Sequence, residues 1–386
     1  MSNSSELVVR ILALEPYFGG SHRAFLEGWS DHSKHTWTVL GLRPSKWKWR
    51  MRHAALTFAS QLENHVASGQ RWDMLFCSDM LNLAEFRGLA PEAVRGLPTL
   101  AYFHENQLTY PVQHESERDF HFGFTNMTTA LAATAVWFNS AFNRDSFLTA
   151  LPEFLKRMPD YQPVDAAEVI RAKSSIQPQG IKEFPPRGLR QPGPLHIVWA
   201  ARWEHDKDPD TFFDALRRLV AGRVAFRVSV IGEQFRRTPP VFESARAEFG
   251  TYIDRWGYQP TREAYRAALM EADVFVSTAQ HEFFGISAVE AMAAGAYPLL
   301  PDRLAYPELL NNQVVWDAEQ FFYQGDTQSL TERLAKLARR VEADDLWQGD
   351  PERVQRAMAR FTWPQLAPQL DTGLDTGLDK PHGTHQ

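Results

Sequence analysis

Short apolar runs alternate with longer segments of helical spacing along most of this chain. Val8-Val9-Arg10-Ile11-Leu12-Ala13-Leu14 is rich in β-branched residues, ends at Glu15-Pro16, and reads as a buried strand. Similar runs stand at Thr36 to Leu40, Met74 to Cys77, Leu100 to Phe103 and Val136 to Phe138, with helical patterns such as Trp49 to Val66 and Asn143 to Leu151 between them. The alternation resumes with strands at Leu195 to Ala200, Phe226 to Ile231, Asp273 to Ser277 and Ala296 to Leu300. Helices are expected at Pro209 to Val220, Thr261 to Met270, Ile286 to Ala294 and Ser329 to Glu342. Such a pattern builds parallel sheets covered on both faces. The expected fold class is therefore α/β, with two Rossmann-like doubly wound units facing across a cleft and ligands bound beyond the carboxyl ends of the strands.

Between the two series the texture changes. Gln177-Pro178-Gln179-Gly180, Phe184-Pro185-Pro186-Arg187-Gly188 and Gln191-Pro192-Gly193-Pro194 are too rich in proline and glycine for a helix or central strand, and form the expected linker. The chain then reads as one Rossmann-like domain with linker over 1–190, a second over 191–365, and a tail over 366–386. The tail carries an Asp-Thr-Gly-Leu duplication before Pro, Gly and His and is expected to be disordered. The 386 residues suit two domains, and 44% hydrophobic with 23% charged residues excludes a disordered or fibrous chain. A formal charge of -6 excludes a uniformly basic nucleic-acid coat but leaves room for a local basic patch. Cys77 is the single cysteine, so no intrachain disulfide or thiolate zinc cluster forms. With no run near the roughly 20 apolar residues of a membrane helix, the chain is expected to be cytoplasmic and to need neither a membrane nor an obligate protein partner.

Candidate chemistry sits at the strand mouths. After the first strand, Gly19 and Gly20 permit a tight turn and close approach to a ligand, and Ser21 is placed to cap a helix whose N–H groups face a phosphate. Arg202 and Lys207, beyond the strand ending at Ala200, suit a diphosphate, although pairing with Glu204, Asp206 or Asp208 would make the same loop a solvated surface. The loop after Ser277 carries Glu282, and the helix from about Ile286 carries Glu290 among small and apolar residues before Gly295.

The spacing Glu282-x7-Glu290, with Phe284-Gly285 and Glu290-Ala291-Met292-Ala293-x-Gly295, resembles the signature of retaining glycosyltransferases of the two-Rossmann-domain (GT-B) type that use nucleotide sugars. The resemblance implies that Glu290 binds the ribose hydroxyls, Glu282 the sugar hydroxyls, and Arg202 with Lys207 the diphosphate. It implies that Gly19, Gly20 and Ser21 approach the phosphates, that Gly232-Glu233 forms the turn near the base, and that Phe284, Gly285 and Ile286 line the same donor site. A narrower resemblance spans about residues 7 to 345. Tyr17-Phe18-Gly19-Gly20-Ser21-His22, Lys46-Trp47-Lys48-Trp49-Arg50, His104-Glu105-Asn106-Gln107-Leu108-Thr109-Tyr110-Pro111, Glu117-Arg118-Asp119-Phe120 and Arg202-Trp203-Glu204-His205-Asp206-Lys207 are similar to tracts of the tRNA-queuosine α-mannosyltransferase family. That resemblance implies transfer of mannose from GDP-mannose, as donor substrate and with no further cofactor, to the cyclopentene diol of queuosine in the anticodon of aspartate tRNA.

The acceptor side has its own signal. Arg43, Lys46, Lys48, Arg50 and Arg52 fall within ten residues with no acid among them, interleaved with Trp47 and Trp49. Cations for phosphates and indoles for unpaired bases suit a single-stranded RNA loop, whereas a bland helix start would pack the tryptophans inward. The family tracts add Glu105, Asn106, Gln107, Tyr110, Arg118 and Asp119 to the expected acceptor site. His104, at a strand mouth, is the expected sugar contact, or else an inward histidine bonded to Glu105. His104, His114 and His121 have irregular spacing and no carboxylate-rich motif, so no metal site is expected. Two other readings are a related transferase acting on a lipid or glycan, and a noncatalytic RNA-binding module.

Overall fold

The computed structural model describes residues 8–112, 118–234, 238–311 and 314–378, so His114 and Glu117 lie outside the described residues. The chain divides into two compact units, Met1–Gly180 with Trp363–Gln386, and Ile181–Thr362.

The first unit holds a parallel sheet of β1 (Arg10–Glu15), β2 (Thr36–Gly41), β3 (Met74–Ser78), β4 (Thr99–Phe103), β5 (Ala135–Phe138) and β6 (Ser174–Ile176), in the order β2-β1-β3-β4-β5-β6. Every residue of β3 and β4 is buried, because helices cover both faces. The order reverses at β1, which has β2 on one side and β3 on the other. The crevice beyond the carboxyl ends of β1 and β3 is thus the expected ligand position of such a sheet.

The second unit holds β7 (Leu195–Ala200), β8 (Phe226–Ile231), β9 (Ile253–Gly257), β10 (Val274–Val276), β11 (Tyr297–Pro301) and β12 (Phe322–Tyr323), ordered β12-β11-β10-β7-β8-β9 and parallel throughout. Its switch point lies between β7 and β10. The covering helices follow their sequence punctuation. Pro209–Ala221 starts at an Asp208 cap with proline in its first turn and buries Phe212, Phe213, Leu216 and Leu219. Thr327–Glu342 starts at an Asp326 cap and buries Leu330, Leu334, Leu337 and Val341.

Two expectations about organisation are corrected. The division falls at Gly180/Ile181, inside the expected linker but ahead of the expected boundary at 190/191, and the rest of the stretch belongs to the second unit, where Arg187 and Arg190 pair with Asp273. The tail is helical as far as Leu378, and its remaining residues lie outside the described ones. Trp363–Leu378 forms a helix whose Trp363, Leu366, Ala367, Leu370 and Leu374 complete the core of the first unit with Phe25, Leu26 and Trp29. Gly373 serves that packing, since a Cβ there would stand 3.2 Å from Trp137 and from Gln177.

Candidate active site

In the second unit the loop after β7 and the loop after β10 meet at the switch point. Lys207 closes a short 3-10 turn, His205–Lys207, and is only 7% exposed. Its ammonium donates to the His281 carbonyl at 2.7 Å and pairs with Asp206 at 3.1 Å and Glu282 at 3.3 Å. Burial opposes the charge on both partners of the Lys207–Glu282 pair. Their mutual attraction, with Asp206 beside Lys207, still raises Lys207 and lowers Glu282 from their ordinary values. Arg202 is exposed, with Glu204 3.3 Å away.

Glu290 is buried on the helix Ile286–Ala293, which begins after Gly285 in a left-handed conformation (φ 91). It accepts a 2.9 Å hydrogen bond from the Tyr265 hydroxyl and has Arg262 at 3.6 Å. Burial pushes its carboxyl upward despite Tyr265, Arg262 and Arg266. Gly232 follows β8 where a Cβ would stand 1.7 Å from the Ala201 carbonyl oxygen, so only glycine lets β7 and β8 deliver their loops this close together. Glu233 beside it is exposed.

In the first unit a second cluster occupies the β1/β3 switch point. Glu15, fully buried at the end of β1, accepts from the Tyr17 amide at 2.9 Å and the Ser78 hydroxyl at 3.0 Å, and its other oxygen lies 3.2 Å from His22 Nδ1. His22 belongs to the helix Gly20–His32, whose cap is Gly19. Ser21 is therefore an exposed first-turn residue and not the expected cap. A Cβ at Gly19 would collide with Pro44 at 2.5 Å, and Gly20 takes a left-handed φ of 53. The His22 ring lies 4.0 Å from that of His104, whose amide donates to Asp79 at 2.9 Å. His104 Nδ1 meets Gln179 Nε2 at 2.6 Å, so the partner of His104 is Gln179 and not Glu105. His104 Nε2 is buried without a hydrogen-bond partner among the described residues, which costs about 1–3 kcal/mol.

Burial works against a charged His22, but Glu15, with Asp79 and Glu105 beyond it, raises it to about 9. Burial and that neighbouring charge hold His104 well below its ordinary value, and burial holds Asp79 well above. Glu15, His22 and His104 each offer one potential metal-ligand atom within 4.8 Å of the others. Two imidazoles on one tetrahedral ion, with bonds of roughly 2.1 Å, would hold their centroids about 5 Å apart. The observed rings, tilted by 32°, are closer than that at 4.0 Å, and Glu15 Oε2 with His22 Nδ1 forms a 3.2 Å ion pair whose geometry falls short of a hydrogen bond. Because folding raises this histidine above its unfolded value of 6.5, the pair's contribution is complete below pH about 6.5 and lost as pH rises through about 9. The contribution is on the order of 3 kcal/mol. Urea midpoints across that window are expected to fall in the wild type and to stay flatter in the double variant Glu15→Gln, His22→Gln; parallel profiles would refute the pairing.

The expected acceptor residues separate into two groups. Lys46, Lys48, Trp49 and Arg52 are exposed at the start of the helix Trp47–Ala67, with Trp49 61% exposed. Arg52 lies over the Phe122 ring, 4.0 Å from Asp119. Trp47 instead packs inward on Phe122, beside Met51 and Met80. Arg50 is committed to the loop before it, donating to the Arg43 carbonyl at 2.8 Å and meeting His53 at 2.7 Å. In the next tract Asn106 is buried and bonded to Asn143 and Thr109, and Gln107 donates to Glu105. Arg118 ties the carbonyls of Leu108 and Tyr110, and Asp119 caps the helix Phe120–Ala132. These residues shape the loop around Tyr110.

Models of known families divide the chain at the same place as the fold. The N-terminal region of tRNA-queuosine alpha-mannosyltransferases matches residues 10–181, and group 1 glycosyl transferases match residues 181–345. A tRNA-queuosine alpha-mannosyltransferase of Drosophila melanogaster is 37% identical over 314 residues, 78% of this chain and 81% of that protein. The chain belongs to the tRNA-queuosine alpha-mannosyltransferase family. It is a glycosyltransferase with an α/β GT-B fold. A glycosyltransferase from Rickettsia africae shares that fold, with a TM-score of 0.67 at 13% identity over 97% of this chain and 100% of its own. A GDP-mannose:cellobiosyl-diphosphopolyprenol alpha-mannosyltransferase of Xanthomonas oryzae pv. oryzae is 28% identical over 123 residues, 32% of each chain.

For this family member, sequence reasoning missed Glu15, Asp79, Gln179 and Tyr265, and assigned His22 no role. Glu15 had a local signal, an acid closing an apolar strand before Pro16. Tyr265 lies 25 residues before its partner Glu290, and Gln179 lies 75 after His104. Only the sheet order brings those pairs together.

Proposed function

We propose that this chain transfers mannose, with retention, from GDP-mannose to the cyclopentene diol of queuosine in the anticodon of aspartate tRNA. The observation that carries the reading is the buried Lys207–Glu282 pair at the β7/β10 switch point, where such a sheet holds a ligand. The partial likeness to a GDP-mannose-dependent enzyme supports the donor, and the Drosophila relative supports the acceptor. Lys207 has three N–H donors and three partners, so a diphosphate must displace one of them. The Glu282 contact, at 3.3 Å, is the longest. Its release would turn Lys207 toward the phosphate and free the Glu282 carboxylate for sugar hydroxyls in one step.

In this reading Arg202 joins Lys207 on the leaving diphosphate, Glu290 accepts from the ribose hydroxyls, and the turn at Gly232 and Glu233 approaches the base. Phe284, Gly285 and Ile286 shape the same pocket, Gly19, Gly20 and Ser21 approach the phosphates, and His104 contacts the transferred sugar. Charge developing on the departing phosphate is stabilised by Arg202 and by Lys207 once Glu282 has released it, and that phosphate takes the proton of the acceptor hydroxyl. Incubation with queuosine-containing tRNA and a panel of nucleotide sugars, followed by weighing the nucleoside, tests this reading. A hexose gain with GDP-mannose alone is expected; gain with another sugar overturns the donor, and no gain with any overturns the acceptor.

The exposed cations Lys46, Lys48 and Arg52 support a tRNA-holding face at the start of the helix Trp47–Ala67. Among the described residues no helix is long and apolar enough to cross a membrane. Replacing Lys46, Lys48 and Arg52 by serine should raise the KM for tRNA and flatten the log affinity against log salt slope by roughly two, as expected when three phosphate contacts to a single strand are lost. Trp49→Ala should lose roughly 1–3 kcal/mol of tRNA affinity at little change in slope. Filter binding across a salt series reads both quantities, and a folded triple variant with the wild-type slope would remove this patch from the acceptor site.

A further inference from the structure

His104 has two ring nitrogens in different situations. Nδ1 is 2.6 Å from the Gln179 side-chain amide, and Nε2 has no hydrogen-bond partner among the described residues. The groups facing the ring are His22, tilted by 32° with its centroid at 4.0 Å, the carboxylate of Glu15, Asp79 below the His104 amide, and the Tyr102 and Phe25 rings. A second positive charge against His22 is disfavoured, so the ring is neutral and carries one proton. The amide at Nδ1 then chooses its nitrogen: an amide N–H can only donate, so Nδ1 accepts and the one proton sits on Nε2.

We propose that Gln179 is a positioning residue: its amide N–H donates to Nδ1 and fixes His104 in the tautomer that carries its proton on Nε2, leaving that N–H for a substrate oxygen. This deepens the proposed function and rests on its reading of His104 as the sugar contact. The amide donor at Nδ1 sets that tautomer, and Nε2, buried with no hydrogen-bond partner among the described residues, has its N–H uncommitted. The Glu15–His22 pair has a separate part, keeping a charge beside His104 so that its ring does not become an imidazolium, which would put a proton on Nδ1 and break the Gln179 contact. The consequence is a neutral donor of fixed direction, suited to a hydroxyl or a phosphate oxygen and unsuited to taking a proton from one.

The test uses the full chain with 15N-labelled histidine, the His104 signals being assigned by their loss in His104→Asn. The wild type should show a bare Nδ1 and a protonated Nε2. Gln179→Glu offers an acceptor in place of a donor and should move the proton to Nδ1. With it, kcat for hexose transfer to queuosine-containing tRNA should fall roughly tenfold to a hundredfold, as expected for one lost hydrogen bond to the reacting groups, with the KM for tRNA changed less than about threefold. Gln179→Met, which removes the donor without adding an acceptor, should give mixed tautomers and a smaller loss, and guards against a misfolded glutamate variant. Calorimetry with GDP-mannose and with GDP locates the oxygen. Weakening of GDP-mannose alone marks a sugar hydroxyl, and weakening of both marks a phosphate. A bare Nε2 in the wild type overturns the proposal whatever the reaction is. A proton moved to Nδ1 with unchanged kcat also overturns it, while leaving the mannosyl transfer itself standing. Absence of hexose transfer in the wild type would instead count against the proposed function, and the nitrogen spectra would still decide the role of Gln179.

Discussion

Lys207→Met should lower transfer by roughly 10²–10³-fold, the loss seen when one preorganised group stabilising developing charge is removed from an active site. The residue is deeply buried, and its ammonium is held by Asp206, Glu282 and the His281 carbonyl. A buried cation with two carboxylates is a weak source of stability, because its desolvation offsets much of the attraction. Removing it leaves Asp206 and Glu282 facing each other unpaired, so the variant should also lose about 3–5 kcal/mol of stability. Turnover is therefore to be measured at a temperature where circular dichroism shows the variant folded. Lys207→Arg separates the two effects: it keeps the charge and most of the stability but places a planar fork where a point charge sits, and should recover turnover only in part. A folded Lys207→Met protein with turnover within about threefold of wild type would make the pair a brace for the β7 and β10 loops and nothing more.

Much of this arrangement was legible in the chain because it is local. The strands that precede the chemistry, such as Leu195 to Ala200, announce themselves as apolar runs, and the groups follow within a few residues: Lys207 after β7, Glu282 after β10, His104 after β4. What was not legible depends on the sheet order. Glu15, His22, Asp79, His104 and Gln179 come from four strand ends and a helix, and only the reversal at β1 makes neighbours of them. The outward and inward faces of Trp49 and Trp47 were likewise undecided by spacing. A basic surround suits both, and only the packing of Trp47 on Phe122 separates them. Short edge elements such as β6 and β12, of three and two residues, carry too little pattern to be found at all.

The C-terminal helix was misread for a different reason, and its correction makes a second large stability prediction. Pro368, Gly373 and Gly377 argue against a helix by propensity, and tertiary packing overrides them: Leu366, Leu370 and Leu374 recur every four residues on the face buried against Phe25, Leu26 and Trp29. At the centre of that face is Asp371, 3% exposed, an acid in an apolar seam. Its carboxylate accepts from the Trp29 indole at 2.8 Å, the Ser33 hydroxyl at 2.8 Å and the Lys34 amide at 2.8 Å, which accounts for its burial. Asp371→Ala strands the indole N–H and the Lys34 amide without an acceptor and removes the anchor between the last helix and the end of the helix Gly20–His32. A loss of about 3–5 kcal/mol is expected, since hydrogen bonds to a charged group contribute about 1.5–3 kcal/mol each and are not additive. Asp371→Asn keeps one acceptor oxygen for Trp29 and Ser33 but turns an amide toward the Lys34 N–H, and should lose about half as much. The loss should be confined to the first unit. Hydrogen exchange is expected to speed up in β1 and β3 while β7 and β8 keep wild-type protection, because the helix completes a core that contains no residue of the second unit. A change below about 1 kcal/mol in Asp371→Ala, or equal loss of protection in both units, would show that the helix is carried by its leucines alone and that the buried acid is not its anchor.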